Sequence, residues 1–271
     1  MKKLINRQAG PVGRWALGLL PFVVLVVLYL VASDARLAAN PNDKLLPDLA
    51  SFVDAIQRMA FEPSKRSGEY LLWVDTLASL ERLAIGVAVS AALGLVFGIV
   101  TGALPLFRAG ISPLVTGLSL VPPLAILPIL FIVFGLGELA KVMLIIIGIT
   151  PFLIRDLQQR AAEIPAEQLI KMQTLGANTW QIILRLVWPQ VMPRLIGAVR
   201  LSLGSAWLFL IAAEAIAATE GLGYRIFLVR RYLAMDVILP YVAWITFLAF
   251  AIDFALARYS RWRYPWFHQA G

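Results

Sequence analysis

Long stretches of this chain have no polar periodicity at all. Six apolar runs stand out: Trp15–Ala32, about Leu77–Leu104, Ile111–Phe134, Leu139–Ile154, Leu195–Ala218 and Val237–Ala257. A helix needs roughly 20 mostly apolar residues to cross the hydrocarbon core of a bilayer. The pattern therefore predicts an all-α membrane protein with six transmembrane helices. The first run follows basic residues, as a signal peptide would, but it is longer than a signal's apolar core and reads as an uncleaved anchor. Two connections have their own pattern. In residues 33–76, Leu49, Phe52, Val53 and Ile56 recur at i, i+3, i+4, i+7. That is an amphipathic helix lying at the membrane surface or against the bundle.

The second connection, residues 155–194, predicts two short helices. Ala166, Leu169, Ile170 and Met172 form an apolar ridge, with Glu167, Lys171 and Gln173 off it. Gly176 is the expected stop, since glycine tolerates the left-handed conformation of a helix end. Asn178 then caps a second helix, with Gln181 placed for a capping box. Trp180, Ile183, Leu184 and Val187 give that helix one apolar face. Pro189 is expected to end it, lacking an N–H, and Pro193 to reset the chain. Two readings stand side by side: an interfacial connector, or a rigid ridge for a cytoplasmic partner's groove.

Composition supports the membrane assignment. The chain of 271 residues is 60% hydrophobic and 15% charged, with a mean hydropathy of +0.80. Soluble domains are nearer half apolar and a quarter charged. The net charge of +8 does not point to nucleic acid, because the basic residues lie between apolar spans rather than among aromatics. With the N-terminus cytoplasmic, that side collects 14 of the 24 lysines and arginines. This excess puts both termini in the cytoplasm. The domains expected are a cytoplasmic N-terminus (1–14), an anchor helix (15–32), a periplasmic segment (33–76), a five-span core (77–258) containing the 155–194 connection, and a basic aromatic tail (259–271), most of it in the stretch RYSRWRYPWF at 258–267. There is no cysteine and only one histidine, His268. Thiolate chemistry is excluded, and a metal site or triad built on histidine has no material. No GxxxxGK[ST] occurs, so the chain carries no P-loop for ATP hydrolysis.

Ionisable residues inside spans point to function by default. Glu214 lies in the fifth run. It reads as a pathway residue, or alternatively as a carboxylate bonded to a neighbouring helix. Glu220 and Arg225 follow in an external turn and fit a vestibule. Glu81 and Arg82 read as interfacial and structural, and Asp253 as a partner of Arg258 or of a helix terminus. In the third run, Ser119, Pro122 and Pro123 mark a backbone break that lines a pathway or only kinks the helix. Gly86, Ser90, Gly94 and Gly98 recur every four residues, the close-packing pattern of membrane helices.

Gly176, followed by Leu186 and then Trp188-Pro189, resembles the cytoplasmic signature of binding-protein-dependent ABC importer permeases: Glu-Ala-Ala, three residues, Gly, nine residues, Ile, one residue, Leu-Pro. Residues 79–99, 122–142 and 212–224 and the tail around Pro265-Trp266 resemble the members that carry nitrate, taurine, alkanesulfonates and bicarbonate. The likeness covers about residue 75 to the C-terminus. The chain departs from the signature in having Ile170-Lys171-Met172 in place of Glu-Ala-Ala and Trp188 in place of the leucine. Its ATPase is therefore expected to be matched to it.

The resemblance implies a type I importer fold with a cytoplasmic coupling helix between spans four and five. It places ATPase contacts at Leu169, Ile170, Lys171, Met172, Gly176, Ala177, Trp180, Leu186 and Pro189. It also implies a bacterial inner-membrane location, a second copy of the chain, two ATP-binding cassette subunits using ATP and Mg, and a periplasmic binding protein. The chain itself is expected to bind no cofactor. A small oxyanion is the expected solute. Glu214 and Glu220 keep a small cation, such as a guanidinium compound, open as an alternative. A carrier driven by an ion gradient is the reading from another class, and a membrane enzyme lacks any nucleophile–base or metal constellation.

Overall fold

The computed structural model describes residues 10–40, 43–65 and 67–268. Lys2, Lys3, Arg7 and Arg66, counted in the charge balance, and the last residues of the tail lie outside them. All regular elements among the described residues are helical. They are α1 (Pro11–Ala39), α2 (Leu49–Ile56), α3 (Leu71–Ala103), α4 (Pro105–Leu120), α5 (Leu127–Phe134), α6 (Glu138–Ala162), α7 (Ala166–Thr174), α8 (Thr179–Ile182), α9 (Trp188–Ala217), α10 (Leu222–Arg230), α11 (Met235–Arg263) and α12 (Pro265–His268).

Four stretches are long and apolar enough to cross a membrane: α1, α3, the continuous helix Thr179–Ala217 and α11. A fifth arises if α4 and the Pro123–Phe134 stretch that contains α5 count as one broken span. Two expected spans need correction, and the fourth does not pass on length and composition alone. The third is not one helix. It bends by 82° at Val121-Pro122, where two successive prolines cannot donate to the helical ladder. The fourth, α6, is not among the stretches apolar enough to span. Its apolar segment is bracketed by Glu138 and Lys141 at one end and by Arg155 and Asp156 at the other. The fifth starts earlier than expected, because Pro189 does not end the helix before it. Ile183–Val187 forms a π-turn in which the Trp188 N–H reaches the Ile183 carbonyl. Pro189 thereby falls in the first turn of α9, directly after the π-turn, a position that tolerates its missing N–H. The sixth run also extends, with α11 continuing through the first five residues of the expected tail to Arg263.

The centre of the bundle is α6, with Leu144, Ile145, Ile149, Leu153 and Leu157 fully buried. It packs on α3 through the small-residue stripe. A Cβ placed on Gly86 would meet Ile145, one on Gly94 would meet Leu153, one on Gly98 would meet Leu157, and one on Gly102 would meet Ala161. The partner number rises in step with the glycine number, so α3 and α6 run parallel and in register. On its other side α6 packs on α9, with the Phe209 ring over Gly148.

The amphipathic helix is α2. Asp48 caps it by accepting from the Ser51 N–H at 2.9 Å. Hydrogen bonds from the Ser51 hydroxyl and then from its N–H hold the Asp48 carboxyl below the ordinary aspartate range. The helix packs against α11. Outside it, α1 is tied to the segment before α2 by Tyr29, whose hydroxyl donates to the Pro47 carbonyl at 2.7 Å, and by Ser33, which donates to Leu46 at 2.9 Å.

Candidate functional site

Three places hold the residues singled out from the sequence. The first is the corner between α7 and α8. At the end of α7 the N–H of Ala177 reaches the Met172 carbonyl at 3.0 Å and that of Gly176 reaches Gln173 at 2.9 Å. This is a Schellman motif, with Gly176 at φ +79° as its left-handed residue. The capping box follows at once. Asn178 accepts from the Gln181 N–H at 2.8 Å, and Gln181 accepts from the Asn178 N–H at 2.9 Å. A second tie holds α7 to α9, where Gln190 donates to Gln168 at 2.8 Å.

The corner is thus rigid, yet it exposes large apolar side chains: Ile170 at 60%, Leu175 at 75% and Trp180 at 66%. Lys171, Gly176 and Pro189 are also exposed, while Leu169, Met172, Ala177 and Leu186 are half-buried. Asn178→Ala should cost about 1 kcal/mol of local stability, the usual value of a lost cap. Faster hydrogen exchange confined to residues 178–183 would show it, and unchanged protection there would contradict it.

The second place is a clasp at the junction of α3, α9 and α10. Asp75, Ser79 and Arg82 lie at i, i+4 and i+7 on one face of α3, and all are buried. Asp75 accepts from the Gly221 N–H at 2.9 Å, from Arg225 Nε at 2.7 Å and from the Tyr241 hydroxyl at 3.2 Å. Ser79 accepts from the Leu222 N–H at 2.8 Å and donates to Glu214 at 2.8 Å. Arg82 donates to Glu214 at 2.7 Å, to the Glu220 carbonyl at 2.9 Å and to Glu138, which also pairs with Lys141 at 2.7 Å. Gly223 N–H completes the Glu214 carboxylate at 2.8 Å.

Gly221, at φ +127°, sits so close that a Cβ there would come within 2.6 Å of the Glu214 carboxyl carbon. Burial lowers the Arg225 pKa, but its hydrogen bonds to Asp75 and that residue's charge outweigh this and hold it above the ordinary arginine value.

The clasp corrects two expectations and bears on a third. Arg82 is buried rather than interfacial. Arg225 does not stand open in a vestibule but pairs with Asp75. Glu214 is fully buried, in the geometry of the alternative weighed for it, a carboxylate bonded to neighbouring helices. Glu220 remains half exposed, 3.9 Å from Arg82. Asp253 pairs with Arg200 at 2.8 and 2.9 Å, not with Arg258. Asp75 and Ser79 went unnoticed in the sequence, although their spacing from Arg82 was the available signal.

The third place is the bend after α4. Pro122 and Pro123 form it. Ser119 sits just before it, donating to the Thr116 carbonyl at 2.8 Å and accepting from Arg155 Nη1 at 2.9 Å.

Residues 94–266 match the family described as binding-protein-dependent transport system inner membrane component. The chain belongs to this family. The permease is similar to the taurine transport system permease protein TauC of Escherichia coli, with 33% identity over 72% of this chain and 71% of that one. It is also similar to the nitrate import permease protein NrtB of Synechococcus elongatus, with 29% identity over 76% and 75%. In fold it resembles a chain from an inward-facing structure of the MetNI methionine ABC transporter. The TM-score is 0.58, with 24% identity, over 70% of this chain and 95% of that one. The permease is therefore a multi-pass, inner-membrane component of an ABC transporter, not its ATPase.

Proposed function

We propose that the permease is the translocating subunit of an ATP-driven importer for a small oxyanion of the nitrate, sulfonate, taurine or bicarbonate type. Two copies enclose the pathway, and a periplasmic binding protein delivers the solute to them. Two separate ATPases, using ATP and Mg, dock on the two α7–α8 corners. Binding of ATP draws the corners together, and the continuous α8–α9 helix transmits that movement into the membrane.

The rigid, exposed, apolar corner around Gly176 is the observation that carries this reading, since a protruding hydrophobic patch of this kind marks a partner site. The parallel course of α3 and α6 supports six spans. The α4–α5 stretch then has to return the chain across the membrane between them, which puts both termini on one side, and the excess of lysine and arginine makes that side cytoplasmic. Ser119, Pro122, Pro123 and the exposed Glu220 are assigned to the pathway. Family membership favours the importer over a carrier driven by an ion gradient. The cation alternative loses its main support, because Glu214 is already matched by Arg82, Ser79 and Gly223.

Gly176→Arg is the test. Nothing lies within 4 Å of a Cβ at this position, so the membrane fold has no clash to absorb. The left-handed backbone is strained by about 1–2 kcal/mol, and the corner gains a long cation where the ATPase docks. The variant should purify as a folded permease but lose its ATPase in co-purification, and uptake with it. Normal co-purification and normal uptake would show that the ATPase docks elsewhere.

A further inference from the structure

Between α4 and α6 lies a polar cavity of about 620 Å³. Ser112, Thr116 and Ser119 stand at i, i+4 and i+7 on α4, so three hydroxyl-bearing residues line one wall. Arg155 on α6 faces them and donates to Ser119 Oγ at 2.9 Å. Among the described residues no carboxylate lies within ion-pair distance of Arg155. Asp156 also lines the cavity, and its own nearest cation is Arg160 at 3.7 Å. Ser112 donates to Gln158 at 2.9 Å, closing the floor.

This is the reverse of the clasp. There, every buried carboxylate is met by cations or N–H groups. Here, an exposed guanidinium at the end of the apolar segment of α6 has a hydroxyl as its hydrogen-bond partner and no carboxylate within ion-pair distance, while Asp156 on the same wall is turned to Arg160. A guanidinium offers a planar fork of donors that matches an oxyanion, and serine and threonine hydroxyls can turn to donate as well.

We infer that Arg155, with Ser119 and Thr116, forms an oxyanion-binding subsite of the translocation route, just inside the α4 bend. The subsite rests on the oxyanion-importer reading and makes it specific. The solute's anionic group exchanges the Ser119 contact of Arg155 for its own oxygens and is released toward the cytoplasmic side.

The experiment uses the complete transporter, permease with its ATPase and binding protein, in proteoliposomes, with uptake of labelled taurine and of nitrate measured separately. Arg155→Gln should lower oxyanion uptake about tenfold or more, the scale of a lost charged hydrogen bond. Arg155→Lys keeps the charge and should retain more uptake than Arg155→Gln. Arg261→Gln removes an exposed charge that does not line the cavity and should transport like the wild type. Should Arg155→Gln fail to assemble, Thr116→Val reads the same cavity at constant volume and should raise the KM for the oxyanion several-fold. Wild-type uptake by Arg155→Gln, or equal losses in the Lys and Gln variants, would overturn the subsite alone. A wild-type complex that moves neither taurine nor nitrate but takes up a guanidinium cation would overturn the oxyanion reading itself.

Discussion

Glu214→Ala is expected to destabilise the permease by roughly 3–5 kcal/mol, the usual cost of removing one partner from a buried ion pair. The side chain of Glu214 is 0% exposed and that of Arg82 is 4%. Removing the carboxylate leaves the buried Gly223 N–H without an acceptor and takes one from the Ser79 hydroxyl. Arg82 keeps Glu138 and the Glu220 carbonyl, so the loss should fall short of a fully stranded charge. Arg82→Met should be the worse of the two single changes, because it strands a carboxylate inside the bundle.

The pair of changes together, Arg82→Met with Glu214→Leu, should recover part of the stability, since apolar side chains of similar volume often replace a buried ion pair at little cost. Thermal unfolding in detergent checks all three. A pathway carboxylate would behave differently, with uptake altered and the unfolding midpoint unmoved. A Glu214→Ala permease that unfolds at the wild-type midpoint would show that the clasp does not hold α3, α9 and α10 together.

What could be read from the sequence divides along the range of the interactions. The Gly176 stop and the Asn178–Gln181 box use residues only a few positions apart, and both stand in the structure as their pattern indicated. The close-packing role of Gly86, Gly94 and Gly98 was likewise readable, because a four-residue repeat defines one helix face whatever packs on it. The partner on that face was not readable, nor was its parallel direction.

Pairings across the bundle were lost for the same reason. Glu214 meets Arg82 only because α3 and α9 adopt one register, and Asp253 meets Arg200 rather than the nearer Arg258. Asp75 was also hidden by a boundary. The second apolar run begins near Leu77, yet α3 starts at Leu71, which places Asp75 on the same helical face as Ser79 and Arg82. Pro189 misled by its chemistry, since proline usually ends a helix, but a π-turn just before it turns the same residue into a permitted first-turn position.

Gly98→Leu should be as damaging as the loss of Glu214, although it removes no interaction. A Cβ at Gly98 would lie 2.6 Å from Leu157 Cβ and 3.3 Å from the Ile154 carbonyl oxygen. Ordinary carbon contacts are about 3.5–4.0 Å, so the first added atom alone forces α3 and α6 apart. Overpacking of this kind typically costs about 1–3 kcal/mol, and three further carbons on a backbone contact put leucine at or above the upper end.

The displacement would not stay local. Gly94 and Gly102 hold the same interface against Leu153 and Ala161, and Arg82 reaches Glu138 only while α3 and α6 are in register. The unfolding midpoint should therefore fall and the α4–α6 cavity should change shape, lowering uptake as well. Gly18→Ala on α1, with nothing within 4 Å of the new Cβ, should leave both unchanged and serves as the control. If contact distance is the cause, moving the bulk across the interface should help: Gly98→Leu combined with Leu157→Gly should unfold later than Gly98→Leu alone. A Gly98→Leu permease with the wild-type midpoint would mean that α3 and α6 do not approach each other at this stripe.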